Sequence, residues 1–293
     1  VELPFRDCTA DSRAHLVRSK RDGRLRIMGV VFGLLAAFLW GTSDFLINRL
    51  TNILGTSRAL VATQICSLAV WLVVALIGGF PASQSVNLWG IAVLGGIFHV
   101  VGLFYTYRAF EIGTLSLVSP IASSFAIVTA VCALLAGERP GAAALTGAVL
   151  LVVGVAVVTR GTPSDGPTTL KGVPEALVSA IGFGVMFWLV DGVMDEVGIG
   201  WPLVILKVMA TSTALAAVWR NKNRDEKPAP VRRGEIVILG VAIAAGDSLA
   251  WAAWLAGAAR GYVSVVTALA SLFSVFTIVL AAIFLKERLV KVQ

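Results

Sequence analysis

Charged side chains are scarce in this sequence: Asp, Glu, Lys and Arg make up 14% of its 293 residues, whereas hydrophobic residues make up 57%. A soluble domain has about 25% charged residues on average. The shortage argues against a soluble protein and indicates a chain that is covered by lipid. The net charge of +7 does not indicate nucleic-acid binding, because the basic residues lie in short loops and near the N-terminus without forming a basic face.

Residues typical of catalysis and metal binding are also few. The chain has two His and three Cys, and the three Cys are too scattered to form a disulfide framework or a metal cluster. It contains no HExxH, GxSxG or Walker sequence. We therefore expect a protein that is not an enzyme and that uses no metal or cofactor.

Apolar runs of about 20 residues, the length that crosses roughly 30 Å of hydrocarbon, make up most of the chain. Because unpaired backbone groups are too costly in lipid and the alternation of barrel strands is absent, the sequence predicts an all-α integral membrane protein. The nine predicted transmembrane helices are 28–50, 57–78, 87–108, 113–136, 141–160, 172–192, 200–219, 235–257 and 261–285.

Two halves of the sequence resemble each other. Residues 38–41 align with 181–184 at an offset of 143 positions, and residues 113–129 align with 261–277 at an offset of 148. A repeat of five helices has an odd number of spans, so the second copy must enter the membrane from the opposite side. We therefore predict two inverted five-helix repeats, an architecture typical of secondary transporters with a substrate site at the membrane midplane.

Several short motifs occur in order along the chain: Trp40-Gly41, Tyr107-Arg108-Ala109, 115–120, 137–140, 147–155 and 286–289. Their order resembles that of the EamA-type transporters of the drug/metabolite transporter superfamily. The resemblance implies ten helices, whereas the chain ends at Gln293, just past the ninth. We expect a truncated sequence that lacks the tenth helix, with a true nine-helix variant as the alternative.

The resulting domain organisation has four parts. Residues 1–27 are a polar tail without the apolar stretch of a signal peptide, and we expect this tail to be disordered. Met28 stands at the edge of the first apolar run, which suggests that it is the natural start. The first repeat is predicted at 28–160, a linker at 161–171 and the second repeat at 172–293.

Three ionisable side chains, His99, Lys207 and Asp247, lie near the middle of predicted helices, where each costs about 2.5–3.5 kcal/mol or more. At the repeat offsets, His99 aligns with Asp247 and Gln64 aligns with Lys207. The four deepest polar side chains thus occupy two pairs of equivalent positions. This arrangement predicts a substrate or coupling site on the axis that relates the repeats.

Each of these residues has a functional and a structural interpretation. Asp247 is the first candidate for holding a proton, a cation or an amino group, and its alternative is an ion pair with Lys207 that joins two helices. His99 is either a proton relay or a hydrogen-bonded core residue. Lys207 either belongs to the site or extends its stem toward the interface.

Further candidates flank this set. Asp44 lies in the outer half of the first helix, where it either lines an entrance or is simply a polar residue near a helix end. Trp40, Tyr105 and Trp251 are predicted to form an aromatic wall. Trp251 lies one turn beyond Asp247 on the same helix face, and an aromatic ring beside a carboxylate suits an amine or a flat organic ligand.

We expect a secondary transporter of the plasma (inner) membrane that exports small metabolites, amino-acid-like or other small organic solutes, by alternating access. The alternatives are a multidrug or organic-cation exporter of the same fold, and a membrane scaffold subunit that transports nothing. The expected partners are the lipid bilayer, a small-molecule substrate and protons as coupling ions, with a homodimer left open and nucleic acid excluded.

The orientation in the membrane is left open by the sequence. Most Lys and Arg residues fall in the loops on one side, and the positive-inside rule assigns that side to the cytoplasm and the N-terminus to the outside. The resemblance to EamA-type transporters implies the reverse orientation.

Overall fold

The protein is described by a computed structural model that covers residues 23–79, 85–137, 170–198, 200–220 and 233–285, together with 146, 147, 150 and 154. These residues are helical apart from short turns, and eight segments are long and apolar enough to cross a membrane. The all-α membrane class is thereby confirmed. Residues 1–22 of the predicted tail, most of the predicted helix 141–160 and most of the predicted linker lie outside the described residues, whereas residues 23–27 of the tail belong to a helix.

Ten α-helices form these eight spans. Six of them cross singly, whereas α4 with α5 and α9 with α10 each form one span between them. The helices are α1 (Gly23–Leu54), α2 (Thr56–Gly78), α3 (Val86–Ile112), α4 (Leu115–Ser123), α5 (Phe125–Leu135), α6 (Val173–Val197), α7 (Gly200–Arg220), α8 (Arg233–Ala258), α9 (Val263–Ala270) and α10 (Phe273–Leu280), the last followed by a π-helical turn, Ala281–Leu285.

Equivalent glycines end the first helix of each half. Gly55 separates α1 from α2 with φ 75° and ψ 163°, and Gly198 follows α6 with φ 77° and ψ 178°. Positive φ of this kind is accessible to glycine and strained for other residues. The two glycines lie 143 positions apart, so the alignment offset read from the sequence corresponds to a repeated backbone conformation.

The fourth span of each half is interrupted at equivalent positions. One break is at Ser124, and the other begins at Ser271, where short turns separate the paired helices. The Ser123 hydroxyl donates a 2.7 Å hydrogen bond to the Pro120 carbonyl, and the Ser271 hydroxyl donates a 2.7 Å bond to the Ala268 carbonyl. Each hydroxyl thus forms a hydrogen bond with a backbone carbonyl near the end of the upstream helix. Hydrogen bonds of this kind favour a bend in the helix.

The halves contact each other through reciprocal helix pairs. Thr277 of α10 donates a 3.2 Å hydrogen bond to the Gly41 carbonyl of α1. Thr129 of α5 donates a 2.9 Å bond to the Gly184 carbonyl of α6. Thr129 and Thr277 are equivalent at the offset of 148, and Gly41 and Gly184 are equivalent at 143. The first helix of each half therefore packs on the fourth span of the other half.

Two contacts mark the opposite ends of the bundle. At one end, which we call the Arg49 end, Arg49 near the end of α1 forms an ion pair with Glu235 in the first turn of α8. At the other end, the Trp201 end, the Trp201 indole at the start of α7 donates a 2.8 Å hydrogen bond to the Gly79 carbonyl after α2. These two polar contacts identify the two ends of the bundle.

Candidate functional site

A cavity lies in the middle of the bundle, with about 750 Å³ of empty space when the open solvent at its mouth is included. Its wall combines residues of α1, α2 and α3 with residues of α6, α8 and α10, so both halves of the chain contribute. Its lining residues are Trp40, Ser43, Asp44, Ile47, Thr63, Gln64, His99, Leu103, Thr106, Tyr107, Ala122, Phe125, Phe183, Phe187, Ile243, Ala244, Asp247, Trp251 and Phe273.

Asp247 is the centre of a hydrogen-bonded ion pair in this wall. Lys207 Nζ donates to Asp247 Oδ2 over 2.6 Å, and the Ser67 hydroxyl donates to the same oxygen over 3.0 Å. The Trp40 indole donates to Oδ1 over 3.3 Å. Both carboxylate oxygens of Asp247 are thus engaged, and its charge is balanced by Lys207.

Lys207 does not extend toward the membrane interface. Its side chain is 1% exposed and ends on Asp247. The interpretation of Lys207 as an interfacial side chain is therefore wrong, and the geometry matches the alternative of an ion pair that joins α7 to α8. A buried ion pair leaves neither charge available without a change in the other.

His99 and Gln64 are buried in the cavity wall, and each has polar atoms without a hydrogen-bond partner among the described residues. His99 is 2% exposed and Gln64 is 3% exposed. Within the described part of the chain, both ring nitrogens of His99 and the Gln64 Oε1 atom lack a partner. The His99 ring centroid lies 6.0 Å from that of Phe183 and 6.3 Å from that of Trp251. Buried polar atoms are normally hydrogen-bonded, so such atoms beside a cavity point to a ligand.

Asp44 contributes a carboxylate that the surrounding side chains do not neutralise. It lines the cavity, and none of the hydrogen bonds or ion pairs among the described residues involves it. Asn48, one turn further along α1, instead donates a 3.1 Å hydrogen bond to the Phe110 carbonyl and joins α1 to α3. Asp44 therefore belongs to the cavity, whereas Asn48 is a packing contact.

Aromatic rings fill the part of the wall around the two helix breaks. Phe125 and Phe273, which begin α5 and α10 at equivalent positions, stack on each other with centroids 6.0 Å apart. Phe187 stacks on Phe125 at 5.0 Å and on Trp251 at 5.2 Å, and Trp251 meets Trp40 edge-on at 5.8 Å. This cluster offers flat apolar surfaces to a bound molecule.

The cavity extends from this aromatic cluster toward the Arg49 end. On α1 its lining runs from Trp40 forward to Ile47, and on α8 it runs from Trp251 back to Ile243. Both directions lead to the Arg49 end, because α1 ends there and α8 begins there.

Six of the eight predicted site residues line this cavity. They are Trp40, Asp44, Gln64, His99, Trp251 and Asp247. Lys207 contacts the cavity through Asp247. Tyr105 lies elsewhere: it is 36% exposed, and its ring packs edge-on against Phe104 with centroids 5.6 Å apart.

Sequence reasoning missed Tyr107 and its neighbours. Tyr107 is 1% exposed, and its hydroxyl lies 3.0 Å from the Thr63 hydroxyl. Leu103, Thr106 and Tyr107 follow His99 by four, seven and eight positions, which is the spacing of one helix face. That spacing was the available signal, and it also explains why Tyr105 points away.

Helices of this length and apolarity, arranged as two halves around a central cavity that contains a few polar groups, define a multi-pass membrane protein with the architecture of a transporter. The sequence profile of the EamA-like transporter family matches residues 27–160 and, a second time, residues 170–293. The chain therefore belongs to the EamA-like transporter family and contains two copies of its repeat. The resemblance inferred from the short motifs is confirmed.

A solved structure described only as "Crystal structure of protein" has the same fold. It aligns with a TM-score of 0.66 and 19% identity, over 91% of this chain and 92% of that chain. No curated protein matches the sequence. Among the described residues, no group of three or more His, Cys, Asp and Glu side chains could hold a metal ion.

Proposed function

We propose that the protein is a secondary transporter of the plasma membrane that exports small organic solutes by alternating access. The observation that carries this proposal is the central cavity, whose wall is built from both repeats and contains polar groups without partners.

The reciprocal contacts support two inverted five-helix repeats. Equivalent hydrogen bonds join Thr277 to Gly41 and Thr129 to Gly184, so a two-fold rotation that exchanges the repeats also exchanges these contacts. Such a relation supplies two states of similar energy, because each repeat can adopt the conformation of the other. Alternating access would then exchange the open and closed ends of the cavity.

The charge distribution supports a cytoplasmic position for the Arg49 end. The described basic residues at this end include Arg49, Arg58, Arg108, Arg220 and Arg233. The positive-inside rule assigns such an end to the cytoplasm. The cavity extends toward this end, and in the proposed export cycle solute would enter it from the cytoplasm.

Export of organic cations is the second candidate, and Asp44 favours it. Because Lys207 balances Asp247, the Asp44 carboxylate gives the cavity a net negative charge when it is ionised. Trp40, Trp251 and Phe187 add aromatic faces, which attract cations. In this proposal a proton and the solute compete for Asp44, which couples efflux to proton entry.

The test is transport by the purified protein in liposomes. Vesicles loaded with a mixture of small metabolites and amines are given an inward proton gradient, and mass spectrometry identifies the solutes that leave. We expect a restricted set to leave the vesicles with the unchanged protein and with the Glu175→Gln variant, which removes a charge outside the cavity. We expect Asp44→Asn to abolish coupling to the proton gradient. Absence of flux, together with a partner protein retained through purification, would support the scaffold interpretation.

A further inference from the structure

We propose that the cavity binds a primary ammonium ion attached to a flat apolar group, in preference to a free amino acid or a quaternary ammonium ion. This inference rests on the proposed transport function and specifies the substrate class of the same site. It is carried by the hydrogen-bonding groups that remain free in the wall once the Lys207–Asp247 pair is accounted for.

The first step is the sign of the charge. Lys207 is bound to Asp247, whose two oxygens also accept hydrogen bonds from Ser67 and Trp40. Besides Asp247, the carboxylic acid in the described lining is Asp44, which forms no ion pair among the described residues. When Asp44 is ionised, a positive ligand restores neutrality, whereas a neutral ligand leaves the carboxylate uncompensated.

The second step concerns a ligand carboxylate. No Lys or Arg side chain is present among the described residues that line the cavity. Lys207 could serve only by leaving Asp247, which would strand a buried charge. A free amino acid would therefore bring a carboxylate that has no cation to meet it, and we expect the site to discriminate against it.

The third step is the need for N–H donors. Gln64 Oε1 and one nitrogen of a neutral His99 ring are unpartnered acceptors, and the Asp44 carboxylate adds further acceptor positions. The terminal torsions of Gln and His are soft, so small rotations turn these atoms into the cavity. A primary ammonium group offers three N–H donors. A quaternary ammonium group offers none and would leave the acceptors unpaired.

The fourth step is the apolar part of the ligand. Trp251 and Phe187 stack with centroids 5.2 Å apart, and Trp40 meets Trp251 edge-on. These rings adjoin Asp247 on one side and the Phe125–Phe273 stack on the other. A planar group would lie against the rings while its ammonium group faces Asp44.

The experiment compares three probes that share one ring. They are phenethylamine, its N,N,N-trimethyl derivative and phenylalanine, each measured for binding to the purified full chain and for counterflow in liposomes. We expect phenethylamine to bind about tenfold or more tightly than either analogue, because each analogue loses hydrogen bonds or adds an unpaired charge. We also expect phenethylamine alone to drive counterflow.

Substitutions of Asp44 and Gln64 test whether phenethylamine binds to these two side chains. Asp44→Asn and Gln64→Leu should each weaken phenethylamine binding by about tenfold, the effect of losing one charged or buried hydrogen bond. Glu175→Gln, on the first turn of α6, should leave binding unchanged.

Stronger counterflow with phenylalanine or with the trimethyl cation would overturn the inference while leaving the transporter function intact. Binding of none of the three would also overturn it, and the metabolite mixture would then test transport independently.

Discussion

At the residue scale, the distinction between Asp247 and Asp44 decides the chemistry of the cavity. The repeat alignment predicts that Gln64, His99, Lys207 and Asp247 occupy two pairs of equivalent positions, and three of these residues, Gln64, His99 and Asp247, line the cavity. Depth along a helix can be read from the sequence, because each residue advances a helix by 1.5 Å. Whether Asp44 or Asp247 remains without an ion-pair partner depends on side-chain contacts between helices, such as the contact of Lys207 with Asp247. Such contacts could not be predicted from the spacing of residues along the chain.

The Lys207–Asp247 pair makes a stability prediction. Replacing Lys207 by Met should destabilise the protein by about 1–3 kcal/mol, because it leaves the partly buried Asp247 carboxylate without its cation. The double variant Lys207→Met/Asp247→Asn should recover much of this loss. Thermal unfolding in detergent measures both variants. Equal losses in the single and double variants would show that the pair is not a coupled unit.

For His99 we predict a substitution that impairs transport without destabilising the protein, unlike the substitution of Lys207. Both ring nitrogens lack a partner among the described residues, so the protein without ligand gains no hydrogen bond from them. We expect His99→Leu to leave the melting temperature unchanged or to raise it, and to reduce transport in liposomes strongly. A large fall in the melting temperature would instead indicate a structural role for the imidazole. The variant Phe104→Leu, on the outer face of the same helix, is the control for both measurements.

At the element scale, helix positions could be predicted more closely than helix continuity. The predicted span 57–78 is observed as Thr56–Gly78, because hydropathy and flanking glycines fix the length that lipid requires. The fourth span breaks at Ser124, one turn after Pro120, and this proline was a visible signal of an irregular helix. The break at Ser271 has no proline, and the sequence marks it only through its equivalence to Ser123.

The prediction at the scale of elements concerns the close contacts between helices at Gly41 and Gly184. A Cβ atom on Gly41 would lie 2.6 Å from the Phe273 carbonyl oxygen, and one on Gly184 would lie 2.7 Å from that of Phe125. We expect Gly41→Ala and Gly184→Ala each to destabilise the protein by about 1–3 kcal/mol, because the helices must separate. Gly90→Ala is the matched control, since nothing lies within 4 Å of its Cβ position. Unchanged melting temperatures for both variants would contradict the packing described above.

At the scale of the whole molecule, the duplication was the most informative feature of the sequence. It predicted the equivalence of Gly55 with Gly198, and the structure gives both the same unusual backbone conformation. It could not predict which residues face one another, because the rotation of each helix about its axis follows from packing between distant segments. Tyr107 was missed for this reason, although it lies two turns from His99 on the same face.

Membrane orientation is the whole-molecule prediction. The account places the segment between α7 and α8 in the cytoplasm, on the same side as the Arg49 end. A reporter active only in the cytoplasm and fused within residues 222–230 should therefore be active. Activity of an exclusively extracytoplasmic reporter at the same site would reverse the orientation, and the proposed direction of transport with it.

The central claim is that solute passes through the cavity between the two repeats. The test uses a variant without Cys8, Cys66 and Cys132, into which one cysteine is introduced on α3. Leu103 lines the cavity, and its chain neighbour Phe104 is 37% exposed on the outer face. Maleimide labelling of the Leu103→Cys variant should stop transport in liposomes, whereas labelling of Phe104→Cys should not. Full transport after complete labelling at position 103 would contradict the account.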